Sequence, residues 1–231
     1  MKNVLISSLG QSPGVVTGTV DALKFFDNVD IHKVITISTS DVGILNYAVD
    51  KILVPEFENP NIYPWGIEYK NSPISRDDIN NPEDNQEFLE KFVCHLHKNL
   101  TSEEIGGIYV SLAGGRKTMA SLVFIGVKLV LDAYSDNLTF RAKFKDLTHI
   151  IVDDRDIEQW GVTEKLLEIK DDDPDLYKKC LHPIQAFGEK ANEKVHLISL
   201  SGMFTKADDL KKIYEDIRNN DLSKARGLLV N

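Results

Sequence analysis

The chain has 231 residues, of which 42% are hydrophobic and 27% charged, a balance typical of a globular protein with a full core. Its formal net charge of −9 argues against extended binding to duplex DNA. No apolar run approaches the roughly 20 residues of a membrane-spanning helix, and two cysteines, Cys94 and Cys180, are too few for a disulfide framework. We therefore expect a cytoplasmic protein with no membrane partner.

Strand-like and helix-like patterns alternate along most of the chain. In chain order, the predicted strands lie at 2–9, 33–38, 107–112, 138–144, 147–152 and 195–200, and the predicted helices lie at 13–26, 42–51, 86–100, 117–133 and 206–218. Asp41 is a candidate cap for the second helix. The helix at 117–133 is apolar nearly all round, which predicts burial between the sheet and a partner. The acidic run 171–175 predicts a solvated loop.

This alternation predicts an α/β fold, a Rossmann-like, doubly wound, mostly parallel sheet with a small C-terminal appendage. The composition becomes charge-dense after residue 153, so we expect a domain at 1–155 and an extension at 156–231. The extension packs either on the same domain or on a dimer partner. In such sheets, ligands bind beyond the carboxyl ends of the strands, near a topological switch point.

Two loops of small residues each follow a predicted strand and lead into a helix. The first is SSLGQSPG at residues 7–14, and the second is SLAGGRKTMA at residues 111–120. Backbone N–H groups at a helix N-terminus are unpaired and the helix dipole favours negative charge, so this arrangement predicts anion binding. Arg116 and Lys117 add two positive charges to the second loop. Together the loops predict one phosphate-rich ligand held between them.

Simpler interpretations stay open for several of these residues. Ser12 could cap the following helix, and the GGRKT turn could be a tight strand–helix connection with solvated charges. Thr39 and Ser40 also lie at a strand end, where they could contact an adenine or a ribose. His95 and His97 point about 200° apart on one helix, so we expect no metal site there.

At its two loops the sequence resembles the CARF family, the Rossmann-like sensor domains of type III CRISPR systems. Residues 9–13 (LGQSP) match the LGxSP signature of that family, and residues 113–119 match its AGGRKTM signature. The segment 148–152 resembles a strand that follows in the family. The resemblance covers roughly residues 1–155, with both signatures in order and each in a strand–loop–helix context.

The resemblance implies a homodimer that binds a cyclic oligoadenylate across its two-fold axis, without a cofactor or a metal ion. Many family members carry a HEPN ribonuclease with an Arg-x4–6-His motif, but the nearest approach here, Arg141 to His149, has seven residues between the two. The tail is also short for a HEPN domain and not basic enough for a DNA-reading winged helix. The chain therefore resembles the standalone ring nucleases that degrade cyclic tetra-adenylate and switch off the type III response.

For a ring nuclease, the resemblance implies that Ser12 and Lys117 are catalytic. The ring's own ribose 2′-OH attacks the adjacent phosphodiester, Ser12 orients that hydroxyl or a phosphate oxygen, and Lys117 stabilises negative charge. The expected products are linear di-adenylates ending in a 2′,3′-cyclic phosphate. The other expected ligand-binding residues are Ser8, Gly10, Gln11, Thr39, Ser40, Gly114, Gly115, Arg116 and Thr118.

A second function stays open, a CARF sensor that binds the ring without cutting it and relays its state to a partner effector. Both functions use the same loops, so the sequence separates them poorly. A nucleotide-dependent Rossmann enzyme is disfavoured because no G-x-G-x-x-G follows the first strand. The negative charge disfavours a regulator that binds duplex DNA.

Overall fold

The computed structural model describes residues 1–40 and 43–201 of the chain. Residues Met1–Ile198 form one compact unit, and of the second unit, Ser199–Asn231, only the first three residues are described. The candidate cap Asp41 and the predicted helix at 206–218 lie outside the described residues. Within the described ranges, no helix is both long and apolar enough to cross a membrane.

The described residues contain a six-stranded sheet. Its strands are β1 (Lys2–Ser8), β2 (Lys33–Ile37), β3 (Glu68–Asn71), β4 (Ile105–Ser111), β5 (Phe144–Val152) and β6 (Val195–Ser199), in the order β3-β2-β1-β4-β5-β6. β1 pairs in parallel with β2, placing Ser8 beside Ile37, and with β4, placing Ser7 beside Ser111. The β2–β3 and β4–β5 pairs are also parallel. The winding reverses between β1 and β4, and the predicted doubly wound α/β fold is confirmed.

Helices connect the strands on both faces of the sheet. They are α1 (Gly14–Asp27), α2 (Ile44–Tyr47), α3 (Val54–Phe57), α4 (Pro82–Thr101), α5 (Lys117–Ala133), α6 (Leu138–Lys143), α7 (Arg155–Trp160), α8 (Thr163–Asp172), α9 (Pro174–Leu181), α10 (Pro183–Phe187) and α11 (Ala191–Lys194). A π-helical turn, Ala48–Leu53, joins α2 to α3, and a 3-10 turn, Gly188–Lys190, precedes α11. α5 spans the predicted 117–133. α4 begins before its predicted start because Asn81 Oδ1 accepts a hydrogen bond from Asp84 N at 2.9 Å and caps the helix.

Two predictions about local structure are wrong, and in both places a side chain caps a helix. The strand predicted at 138–144 is helix α6, because Asn137 Oδ1 accepts from Phe140 N at 3.1 Å and satisfies the first turn. The acidic run at 171–175 is exposed, as predicted, but it forms the junction of α8 and α9 and not a loop. Asp173 Oδ1 accepts from Leu176 N at 3.0 Å and begins α9, with Pro174 in its first turn.

The residues of β1 alternate between two apolar layers. Leu5 is fully buried in a cluster with Val16 and Val20 of α1, so α1 covers one face of the sheet. Because successive strand residues point to opposite faces, Val4 and Ile6 face the layer formed by α4 and α5. The N-termini of α1 and α5 therefore reach the same edge of the sheet, at the carboxyl ends of β1 and β4.

The helices after β5 pack against α1. Thr17 Oγ1 of α1 donates a hydrogen bond to Leu181 O, and the neighbouring His182 is buried with its ring nitrogens 2.9 Å from Asp21 Oδ2 and 3.3 Å from Glu56 Oε2. Tyr63 donates to the other Asp21 oxygen at 3.1 Å. These bonds fix the start of α10 to α1 and α3. The division of the chain into a domain at 1–155 and an extension at 156–231 stays a prediction.

Candidate functional site

The loops that follow β1 and β4 touch each other. A Cβ atom placed on Gly10 would lie 2.7 Å from Cα and N of Gly115, closer than real side chains allow, so the first loop needs glycine there. Gly114 and Gly115 have φ values of 96° and 74°, a left-handed conformation that other residues rarely adopt. The small residues of both motifs thus allow two backbones to meet at one point.

Two serines at the end of β1 hold the second loop in place. Ser8 Oγ donates to Gly114 O at 2.8 Å, and Ser7 Oγ lies 3.0 Å from Ser8 O and 3.3 Å from Ala113 O. Both serines are fully buried. Their hydroxyl groups therefore serve the contact between the two loops.

A cavity of about 440 Å³ opens where the loops meet. It is lined by Leu9, Gly10, Gln11, Ser12, Val15, Thr39, Leu45, Asp77, Gly114, Gly115, Arg116, Met119 and Val162. Its size falls within the range of small-molecule sites. In the described part of the chain, the backbone N–H groups of Gly10, Gln11 and Gly115 have no hydrogen-bond acceptor. The cavity is therefore a concave surface at the N-termini of two long helices, lined by residues whose N–H groups are unpaired, which suits an anion.

The charges around this cavity are of both signs. Arg116 Nε lies 2.6 Å from Asp78 Oδ1, and Asp77, which lines the cavity, accepts a hydrogen bond from Ser40 Oγ at 2.9 Å. A second link joins Ser40 N to Arg76 O at 2.8 Å. An anionic ligand thus shares Arg116 with a carboxylate that is already present.

Residues from the C-terminal half of the unit complete the cavity wall. Thr163, the first residue of α8, donates from N (2.8 Å) and from Oγ1 (2.7 Å) to the same acceptor, Gln11 O. Thr163 is fully buried, and the preceding Val162 lines the cavity. This double donation fixes the backbone of the first loop at Gln11.

The structure brings most of the expected site residues together. Gly10, Gln11, Ser12, Thr39, Gly114, Gly115 and Arg116 line the cavity. No side chain caps α1, so Ser12 is not used as a helix cap. Lys117 and Thr118 lie at the exposed start of α5 beside the cavity but do not line it. Ser8 and Ser40 act indirectly, through Gly114 and Asp77 respectively.

Several residues of the cavity were not predicted from the sequence. Asp77 and Asp78 follow the carboxyl end of β3, which lies beside β2 in the sheet. Acidic residues after a strand were the sequence signal that could have identified them. Val162 and Thr163 carry no local signal, because only the tertiary packing of α8 brings them to the first loop. Leu45 and Met119 supply apolar walls from helices that border the cavity.

Comparison with known proteins places the chain in a family. A family model described as CRISPR-associated protein NE0113 matches residues 12–179, from Ser12 in the first loop to Lys179 in α9. The chain belongs to this family. The CRISPR association expected from the two signatures is thereby confirmed. The match includes α7, α8 and most of α9, so the NE0113 family pattern extends beyond residue 155.

A solved structure has the same fold as this NE0113-family chain. It is Enterococcus italicus Csm6 bound to cyclic hexa-2′-fluoro-hexa-dAMP, with a TM-score of 0.50 and 15% identity. The alignment covers 98% of this chain and 49% of Csm6, so the chain spans about half of the length of that protein. A search of curated protein sequences found no match.

Proposed function

We propose that the chain is a CARF-type protein that binds cyclic tetra-adenylate across a homodimer and cleaves it. The observation that carries this proposal is the contact between the two signature loops, which together line one cavity and have unpaired N–H groups. The family match and the cyclic oligonucleotide in the Csm6 structure support a ligand of this class. Degrading the ring would switch off type III CRISPR signalling.

The proposed reaction is a transesterification within the ring. The ribose 2′-oxygen forms a bond to phosphorus, the bond from phosphorus to the 5′-oxygen breaks, and the proton lost by the 2′-OH is balanced by one gained at the 5′-oxygen. Water is not consumed, and a metal ion is not required by this step. The protein aligns the attacking and leaving oxygens and stabilises charge on the phosphoryl oxygens.

The residues divide this work in the proposed mechanism. Ser12 lines the cavity and orients the 2′-OH or a phosphate oxygen. The N–H groups of both loops hold further phosphate oxygens. Lys117 brings an ammonium group to the N-terminus of α5, where it stabilises the developing charge. Two symmetric cuts would give two linear di-adenylates that each end in a 2′,3′-cyclic phosphate, because a two-fold dimer presents each group twice.

One observation favours a second function, a sensor that binds the ring and relays its state to a partner effector. Lys117 does not line the cavity of the single chain, and Arg116 is paired with Asp78. A site without a free cation near the scissile phosphate would bind the ring and leave it intact.

Incubation of the purified protein with radiolabelled cyclic tetra-adenylate in EDTA decides between these functions. Products are separated against linear standards. Conversion to di-adenylate with a cyclic phosphate end supports the ring nuclease. An intact ring that still migrates with the protein supports the sensor, and absence of binding contradicts both.

A further inference from the structure

A second cavity lies on the other side of the N-terminus of α1. Its volume is about 210 Å³, and it shares Ser12 and Val15 with the first cavity. The two cavities are therefore adjacent, and the shared residues belong to the first signature loop and the start of α1. Both cavities therefore lie within reach of a single ligand bound at Ser12.

The walls of this second cavity are aliphatic and firmly placed. Ile150 and Val152 project from β5, and Pro183 begins α10. The intervening strand residue, Ile151, is 43% exposed and points to the other face of the sheet. Cys180 also lines the cavity, and burial raises the pKa of its thiol to about 11, so this residue is uncharged near neutral pH.

The charged side chains that line the cavity disfavour a phosphate as its occupant. Within the described residues, neither lysine nor arginine lines it, and Glu158 of α7, an exposed residue, forms part of its wall. A phosphate there would meet a like charge and no cation. The cavity instead suits a neutral, flat, apolar group that carries a hydrogen-bond donor on one edge.

We infer that the second cavity is a base pocket, which takes one adenine of the ring while the neighbouring phosphate lies on the loop of Ser12. In this arrangement the purine faces lie between the aliphatic side chains of β5 and α7, and the exocyclic amino group donates to Glu158. The inference rests on the proposed function and deepens it, because it assigns base specificity to residues outside the two signature loops.

The test compares two rings that differ only in the edge facing Glu158. One is cyclic tetra-adenylate, and the other is the corresponding ring of purine riboside, which lacks the exocyclic amino group. Isothermal titration gives the dissociation constant of each ring. We expect wild type to bind the adenine ring at least ~10-fold more tightly, the effect of one hydrogen bond to a charged group.

Matched variants then assign the preference to this pocket. Glu158→Met removes the acceptor and is expected to abolish the preference, whereas Glu164→Met, an exposed glutamate on α8, is expected to retain it. Val152→Phe fills the pocket and is expected to weaken the binding of both rings. Ile151→Phe, on the opposite face of the sheet, is expected to bind both rings as tightly as wild type does. Size-exclusion chromatography and thermal unfolding confirm that each variant keeps its oligomeric state and fold. If Val152→Phe does not fold, the comparison of Glu158→Met with Glu164→Met decides.

The outcomes separate this inference from the proposed function. If wild type binds the adenine ring and both Glu158→Met and Val152→Phe bind the two rings as wild type does, the base pocket is wrong and the proposed function stands. If wild type binds neither ring, the base pocket and the proposed function are both wrong.

Discussion

Lys117 is the residue whose role most clearly separates cleavage from binding. It is the first residue of α5 and lies beside the cavity that Arg116 lines. Lys117→Ala is expected to slow ring cleavage by ~10²–10³, the usual cost of one charge-stabilising donor, and to change the dissociation constant much less. Ser12→Ala is expected to act in the same direction. Single-turnover cleavage and equilibrium binding measure the two quantities separately.

Lys24 provides the control for this substitution. It lies near the end of α1, away from the loops and from α5, and its ammonium group pairs with Asp30 at 2.8 Å. Lys24→Ala removes the same charge and is expected to leave cleavage unchanged. Full cleavage by Lys117→Ala with only weaker binding would show that Lys117 is a binding residue.

Thr163 is expected to be a positioning residue for the first loop. Thr163→Val keeps the shape and the N–H donor but removes the hydroxyl bond to Gln11 O. The free energy of unfolding should fall by about 1 kcal/mol, the net value of one hydrogen bond, and ring affinity should fall several-fold. Thr163→Ser should restore the affinity, because it restores the donor.

Thr19→Val controls for the loss of a buried threonine hydroxyl. Thr19 Oγ1 donates to Val15 O at 2.7 Å within α1 and touches neither loop. We expect Thr19→Val to lower the free energy of unfolding by a similar amount without lowering the affinity for the ring. Equal loss of affinity in the two valine variants would mean that Thr163 acts on stability alone.

At the scale of elements, a buried ionic cluster joins α1, α3 and the start of α10. Burial alone lowers the pKa of an imidazole, but hydrogen bonds to Asp21 and Glu56 outweigh it and raise the pKa of His182 to about 9. The imidazolium therefore donates to both carboxylates at neutral pH. Burial raises the pKa of Tyr63 and of Tyr177, so these neighbours stay neutral in the same range.

This cluster predicts a specific dependence of stability on pH. The unfolded imidazole has a pKa near 6.5, so the contribution of His182 is fully present below pH 6.5 and is lost as pH rises through 9. The total is on the order of 3 kcal/mol, since one pKa unit corresponds to about 1.4 kcal/mol. Urea unfolding of wild type and His182→Gln between pH 6 and 10 should show a difference that shrinks with rising pH.

His196→Gln is the control for this titration. His196 is exposed on β6, and its removal should give a difference in unfolding free energy that is small and constant over the same pH range. A difference between wild type and His182→Gln that is also constant with pH would contradict a charged His182 in the folded protein.

The elements that could be predicted from the sequence are those with a local signal. The strands of β1, β2 and β4 and the helices α1 and α5 follow from hydrophobic patterning, and the two loops follow from their glycines and charges. Asn137 and Asp173 were missed as caps because an apolar run and an acidic run around them predicted other structures. Thr163 could not be predicted at all, because its role depends on a contact with Gln11 that is 152 residues away.

At the scale of the whole molecule, the described residues leave part of α5 uncovered, and we expect that face to form the proposed homodimer. Ile125 and Leu129 are 46% and 53% exposed, lie one turn apart and belong to the helix that begins at Lys117. Two copies joined there would bring their cavities near a common axis, as a two-fold ligand requires. The predicted burial of this helix between the sheet and a partner depends on such a dimer.

Charged substitutions on this face test the dimer and the site together. Ile125→Asp with Leu129→Asp should give a monomer in sedimentation equilibrium and should weaken ring binding by at least ~10-fold, because each monomer keeps only half of the contacts. Phe25→Asp with Phe26→Asp, at the other exposed apolar pair with exposures of 46% and 38%, should leave the dimer and the affinity unchanged. A monomeric wild type that binds the ring tightly would contradict the symmetric site. A dimer that is disrupted only by the Phe25 and Phe26 substitutions would place the interface at the end of α1, where the two cavities could not share one ring through α5.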